Sequence, residues 1–122
     1  MKTVVVCSPY RGGFLRRIFN RAYGRSAVRD CLMRGEAPIA GHLLYTQPGV
    51  LRDREPSERV WGMLAGQSWF KQADALVVYE DYGISEGMEK DIALYLSHQC
   101  YIEYRKLYQT TPNAWADGLL GA

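Results

Sequence analysis

Hydrophobic and polar positions fall into two repeating patterns along the chain, and together they predict the element order β-α-β-α-β-α-β. Short apolar runs predict strands over residues 2–7, 37–45, 74–80 and 100–104. Continuous β-branched runs of this kind are typical of strands buried on both faces of a parallel sheet. Apolar residues at helical spacing predict helices over 14–33, 59–73 and 88–97. Within the first helix Gly24 predicts a kink or a division, and Gly35 predicts a C-terminal cap.

Alternating strands and helices indicate a parallel sheet with helices on both faces, joined by right-handed crossovers. We therefore predict an α/β three-layer sandwich with a four- to five-stranded, mainly parallel sheet. The domain is predicted to span residues 1–108. Residues 109–122 carry few periodic apolar positions and are predicted to form a C-terminal extension, either loose or in contact with a partner.

Two polar, glycine-containing segments follow strands and are the first candidates for a binding site. "SPYRGG" follows the first strand and "DYGISEG" follows the third. In open α/β sheets ligands bind beyond the carboxyl ends of the strands, so both segments are expected to open onto one crevice. The first segment supplies hydroxyls, a guanidinium and a close backbone approach, from Ser8, Tyr10, Arg11, Gly12 and Gly13. It matches neither the GxGxxG nor the P-loop pattern, and a plain turn is the alternative.

The stretch "GISEGMEKDI" places acidic and hydroxyl groups at the start of a predicted helix. A carboxylate there is expected to have a lowered pKa, because the helix dipole and free N–H groups favour the ionised form. An ionised carboxylate suits a nucleophile or a ligand clamp. Glu89 and Asp91 are two residues apart and face different directions, so only one of them can point into the crevice. The alternative is helix capping, with Ser85 as the N-cap residue.

His42 and Tyr45 lie at the end of the second predicted strand, on the side of the crevice. Both are candidate binding residues. For His42 a structural role is the alternative, and His98 is expected at the surface or at a helix end.

Composition and charge narrow the function classes. The 122 residues are 48% hydrophobic and 23% charged with a net charge of +2, as in an ordinary globular protein, so a nucleic-acid ligand is not expected. The arginines of the first third form either a solvated helix face or a surface that attracts anions. The three cysteines have no paired spacing, which predicts free thiols and neither a disulfide framework nor a metal site. No run is long enough to span a membrane and no signal peptide is recognised, so a cytoplasmic location is expected.

Several motifs taken together resemble a known superfamily. These are S-P-Y-R-G after the first strand, "HLLY", "WFKQAD" before "ALVVY", and then "GISEGM". The combination, over about residues 1–107, resembles the nucleoside 2-deoxyribosyltransferase-like superfamily and in particular its small phage and bacterial members. That superfamily also contains the deoxynucleoside 5′-monophosphate N-glycosidases. The resemblance implies a flavodoxin-like, Rossmann-like fold and homo-oligomers whose subunits complete each other's sites. For a phage-encoded member it implies the host cytoplasm.

The resemblance implies cleavage of a nucleoside N-glycosidic bond by a carboxylate nucleophile, with no cofactor. In the family pattern S-x-G-x-x-x-E the nucleophile lies six residues after the serine, which is Asp91 here, while Glu89 lies two residues earlier. Tyr10 and the first-loop glycines would hold the sugar or its 5′ end, and Ser85 with Gly87 would help to hold a 5′-phosphate. The family commonly has an aspartate where this chain has Gly66.

Three hypotheses follow from the sequence. The first is an enzyme that hydrolyses nucleosides or nucleotides or transfers their deoxyribosyl group. The second is a non-catalytic protein that binds or sequesters a nucleotide. The third is an interaction protein that uses the arginine-rich first helix and the aromatic residues near the C-terminus.

Overall fold

A four-stranded parallel sheet forms the centre of the computed structural model, which describes residues 1–52 and 54–108. The strands are β1 (Thr3–Cys7), β2 (Ala37–Ile39), β3 (Ala75–Tyr79) and β4 (Tyr101–Arg105). Their order in the sheet is β2-β1-β3-β4, and every neighbouring pair is parallel. The chain therefore has an α/β fold of the flavodoxin-like, Rossmann-like type, as predicted. The predicted extension over 109–122 lies outside the described residues.

Four helices connect and cover the strands. They are α1 (Phe14–Met33), α2 (Gly41–Leu44), α3 (Pro56–Ser68) and α4 (Glu86–Ser97). The helix α1 is continuous, so the predicted division at Gly24 is wrong. Gly24 instead allows α2 to approach, since a Cβ there would lie 3.1 Å from Leu43 Cδ1. Gly35 follows the last turn of α1 with φ +79°, which confirms the predicted glycine cap.

The core lies on both faces of the sheet, as expected for three layers. One cluster joins alternate residues of β1 and β3 to Tyr23, Ala27 and Cys31 of α1 and to Leu43 of α2. The other cluster joins the opposite faces of the same strands to Phe70 and to Met88 and Tyr95 of α4. Because β1 and β3 are buried on both faces, their sequences are continuous apolar runs.

The second predicted strand is wrong beyond Ile39. The segment "GHLL" forms the short helix α2, in which Leu44 N donates to Ala40 O at 3.0 Å and Tyr45 N donates to Gly41 O at 2.9 Å. Leu43 turns into the core beside α1. His42 and Tyr45 therefore lie on and just after a helical turn.

The other predicted boundaries shift by a few residues. The predicted helix 59–73 begins earlier, with Pro56 in its first turn, and ends at Ser68 before a series of turns. The helix α4 begins at Glu86, directly after Ser85, and His98 is its C-cap residue. Over residues 1–52 and 54–108, none of the helices has both the length and the apolar character needed to cross a membrane.

Candidate functional site

A cavity of about 410 Å³ opens at the carboxyl edge of the sheet. Its walls come from the segments that follow β1, β2 and β3 and from the helices α3 and α4. Parallel strands place their carboxyl ends together, so three loops that are distant in sequence meet here. The segments "SPYRGG" and "GISEGM" thus face one common space.

Most of the predicted site residues line this cavity. They are Ser8, Tyr10, Arg11, His42, Tyr45, Ser85, Gly87 and Asp91. Gly12, Gly13 and Glu89 are not among the lining residues. Gly12 has φ +149° and shapes the turn before α1, and Gly13 is the N-cap residue of that helix. The Glu89 side chain is exposed on α4, so of the two candidate nucleophiles Asp91 is the one that lines the cavity.

Ser8 and His42 form a hydrogen-bonded pair in the cavity wall. Ser8 Oγ lies 2.8 Å from His42 Nε2, and the tautomer of the ring decides which atom donates. Burial lowers the pKa of His42 to about 4, so the imidazole is neutral at pH 7. The Tyr10 ring lies edge-on to the imidazole with 6.1 Å between ring centroids. The Ser8–His42 pair therefore presents uncharged hydrogen-bonding groups to a ligand.

The Tyr10 hydroxyl is a buried polar group that the described part of the chain leaves without a hydrogen-bond partner. Buried hydroxyls are almost always hydrogen-bonded, to protein, to water or to a ligand. Tyr10 also lines the cavity. Tyr10 is therefore part of the cavity wall, while its hydroxyl oxygen is itself enclosed by the protein.

Asp91 carries a carboxyl group whose pKa differs in direction from the sequence prediction. Burial raises the pKa of Asp91 to about 6, whereas its place near a helix start predicted a lowered value. The raised pKa has a simple cause. Asp91 lies beyond the first turn of α4, where the dipole effect has faded, and desolvation dominates. At pH 7 the group is still mostly ionised, and it is poorly solvated, which favours reaction as a nucleophile.

Ser85 is confirmed as a capping residue, and it also lies in the cavity wall. Its Oγ accepts a hydrogen bond from Met88 N at 3.3 Å, which makes it the N-cap residue of α4. Ser85 and Gly87 also line the cavity. Capping and a place in the cavity wall therefore coexist at this helix end.

The loop that leads from β3 to Ser85 is fixed by Asp81. Its carboxylate accepts hydrogen bonds from the Tyr23 hydroxyl on α1 and from the backbone N–H groups of Leu107 and Tyr108, the last two at 2.9 Å. Asp81 N in turn donates to the Tyr23 hydroxyl at 3.0 Å. These bonds tie the third loop to α1 and to the segment after β4, so the start of α4 is held in place.

Sequence reasoning missed most of one wall of the cavity, of which it named only Gly66, through the superfamily pattern. Gly62, Met63 and Gly66 of α3, with Trp69 just after it, line the space opposite the loops. Trp69 Nε1 donates to the Tyr45 hydroxyl at 2.9 Å and so connects this wall to α2. The available signal was the pair of glycines four residues apart, which leaves one side of a helix open to close approach.

Charged residues of both signs border the cavity. The cations Arg11, Arg59 and Lys90 line it together with the anions Glu58, Glu86 and Asp91. Lys90 Nζ lies 3.8 Å from Glu86 Oε1 in an exposed pair. Within residues 1–52 and 54–108 there is no group of three histidine, cysteine, aspartate or glutamate side chains arranged to hold a metal ion. The cavity therefore combines a largely apolar interior with a mixed polar border.

The fold and this cavity define an α/β protein of the flavodoxin-like, Rossmann-like class with a ligand-sized space at the carboxyl edge of its sheet. A family model described as a domain of unknown function, DUF7768, matches residues 2–105, and the chain belongs to that family. A comparison with curated proteins gives no match.

Proposed function

We propose that this protein binds a nucleoside or nucleotide in the cavity and cleaves its N-glycosidic bond, with Asp91 as the nucleophile. One observation carries the proposal. The partly buried Asp91 carboxyl lies in a cavity that Tyr10 and Ser85 also line, at the positions that the resemblance to the deoxyribosyltransferase-like superfamily assigns to this chemistry. The cavity volume also falls within the usual range for small-molecule sites.

The reaction requires little of the protein beyond position and desolvation. A carboxylate oxygen of Asp91 attacks C1′ of the sugar, the C1′–N bond breaks, and its electron pair leaves with the base, which takes up a proton. Water or a second base then attacks C1′, and the Asp91 carboxylate is released. Tyr10 lies in the cavity wall where it can contact the sugar, and Arg11, Arg59 and Lys90 are placed to attract a 5′-phosphate.

The test is release of free base from each 2′-deoxynucleoside and its 5′-monophosphate, measured chromatographically. We expect Asp91→Asn to lower release by about 1,000-fold or more, since nucleophile removal has effects of that order or larger. Ligand binding should persist in this variant. Glu89→Gln separates the two candidate nucleophiles and should leave release unchanged, because Glu89 is exposed and does not line the cavity.

Release that survives in Asp91→Asn but is lost in Glu89→Gln would assign the nucleophile to Glu89. No release from any compound, at protein concentrations near those of the substrate, would contradict the enzyme proposal.

A second candidate function is nucleotide binding without turnover. It is favoured by Gly66, which lines the cavity where the superfamily pattern has an aspartate. A Cβ at Gly66 would meet no atom within 4 Å, so the space that the aspartate would take is open. A nucleotide that raises the melting temperature and is recovered unchanged would support this function over the first. Saturation at 100 times the Kd adds about 2.7 kcal/mol of stability, which a thermal shift detects.

The proposal includes self-association through α3. No residue of this helix is buried, and Val60, Trp61 and Leu64 are all more than half exposed. Large exposed apolar groups on one element are typical of an interface. We expect light scattering to give at least twice the mass of one chain, and Trp61→Lys to lower that mass. The mass of a single chain for the unmodified protein, across micromolar concentrations, would contradict self-association.

A further inference from the structure

The hydrogen bond between Trp69 and Tyr45 joins two aromatic side chains of the cavity wall. Trp69 Nε1 and the Tyr45 hydroxyl oxygen are 2.9 Å apart, and both residues line the cavity. Tyr45 N is bonded to Gly41 O at 2.9 Å, and Trp69 N to Gly66 O at 3.2 Å. A Cβ at Gly41 would lie 3.3 Å from Gly66 Cα, so the two glycines let the supporting segments come close together. The pair is therefore built into the contact between α2 and α3.

The direction of this hydrogen bond is unambiguous. An indole N–H only donates, so the Tyr45 oxygen must be the acceptor. A phenol oxygen has one hydrogen and one readily used in-plane lone pair, and the indole occupies that lone pair. What Tyr45 can still offer to a ligand is its O–H, as a donor.

We infer that this pair makes Tyr45 a specificity-determining residue that favours nucleobases with a ring carbonyl over those with an amino group. The inference rests on the proposed nucleoside ligand and adds which bases are preferred. A base that meets the Tyr45 hydroxyl edge-on receives the O–H hydrogen bond at a ring carbonyl oxygen. An exocyclic amino group at the same position would place its N–H groups against the Tyr45 O–H. Neither donor would then have an acceptor, and burying an unpaired donor costs binding free energy.

The test compares pairs of nucleosides in which the base carries an oxo group in one compound and an amino group in the other. Dissociation constants are measured by calorimetry for 2′-deoxyinosine against 2′-deoxyadenosine and for 2′-deoxyuridine against 2′-deoxycytidine. Asp91→Asn is the background, so that the ligands stay intact. We expect the oxo compound of each pair to bind about 10-fold more tightly, the effect of one well-formed hydrogen bond together with one avoided mismatch.

Three further substitutions separate this role from a structural one. Tyr45→Phe should abolish the preference, by weakening the oxo compounds, which lose a hydrogen bond, and by strengthening the amino compounds, which no longer meet an opposing donor. Trp69→Phe should also reduce the preference, but only by strengthening the amino compounds, because the Tyr45 oxygen is then free to accept from an amino group. Tyr101→Phe is the matched control on β4, more than half exposed and outside the cavity, and should change neither.

The possible results separate the inferred base preference from the proposed nucleoside or nucleotide binding. Equal affinities within each pair, a preference for the amino compounds, or a preference that persists in Tyr45→Phe would overturn this inference alone. No binding of the four nucleosides or of their 5′-monophosphates would overturn the proposed function and the inference with it.

Discussion

Asp91 and His42 show how burial sets the charge of single residues in this cavity. Desolvation raises the pKa of Asp91 to about 6 and lowers that of His42 to about 4. In both cases the neutral form is favoured, which is the usual effect of a low-dielectric site. The sequence predicted that both residues lie near the crevice but gave the wrong direction for the carboxylate, because burial depends on the three-dimensional neighbours and not on the distance from a helix start.

The raised pKa of Asp91 predicts a pH-dependent stability difference. An acid whose pKa is raised on folding keeps its proton to higher pH in the folded state than in the unfolded state. The free energy of unfolding therefore falls as the pH rises from about 4 to about 6, and stays lower above that. Asp91→Asn removes this loss, so the variant should be more stable than the unmodified protein by about 1 to 3 kcal/mol at pH 8.

Urea unfolding at pH 4 and pH 8 measures that difference. The advantage of Asp91→Asn should shrink towards pH 4, where the native carboxyl is already protonated. Glu89→Gln, at an exposed position on the same helix, serves as the control with no such change. An advantage of equal size at both pH values would show that Asp91 is not desolvated.

At the scale of elements, period and composition predicted the buried strands and the long helices well. The runs at β1 and β3 need burial on both faces, which only a central parallel strand provides. The strand predicted over the α2 segment was wrong because "HLLY" is too short for its hydrophobic period to distinguish a strand from a helix. Leu43 decides the outcome by inserting into the core beside Gly24, a contact between residues that are far apart in sequence.

The site could be predicted only where it follows strands. Three loops at the carboxyl ends supplied most of the predicted residues, because sheet polarity alone brings those loops together. No comparable rule predicts the cavity wall that α3 forms. Trp69 reaches the cavity through the packing of α3 against α2, and the sequence shows only an apolar residue near the end of a helix.

At the scale of the whole molecule, a buried ionic network fastens β4 to the other side of the sheet. The Arg105 guanidinium, 4% exposed, donates to both carboxylate oxygens of Glu36 at 2.7 and 2.6 Å and to Glu103 at 2.6 Å. It also donates to the Tyr79 hydroxyl at 3.2 Å, and that hydroxyl donates to Asp30 at 2.7 Å. Arg105 and Glu36 are 69 positions apart in the chain, so no local pattern in the sequence predicts their pairing.

Removing Arg105 should therefore be strongly destabilising. Arg105→Met leaves the Glu36 carboxylate buried without its partner, and we expect it to lower the free energy of unfolding by about 3 to 5 kcal/mol. The pairing also holds the pKa of Glu36 below its usual range, so the loss should be smaller at low pH.

The double variant Arg105→Met/Glu36→Gln completes a thermodynamic cycle, measured by urea unfolding. It should recover part of the stability, since the unpaired charge is gone. Additive effects of the two substitutions would contradict a direct coupling between Arg105 and Glu36.

The all-parallel sheet has a consequence for the order of folding events. β1 pairs with β3 through partners such as Val4 and Ala75, and no two neighbouring strands are joined by a tight turn. Parallel neighbours need long crossovers, so each pairing must close a large loop before it gains hydrogen bonds. During synthesis β1 cannot pair with β3, its neighbour at the centre of the sheet, until the ribosome has made about two thirds of the chain. Until then the edge of β1 that pairs with β3 and the face that packs on α4 remain uncovered, and folding should be slower than in a helical bundle of equal length.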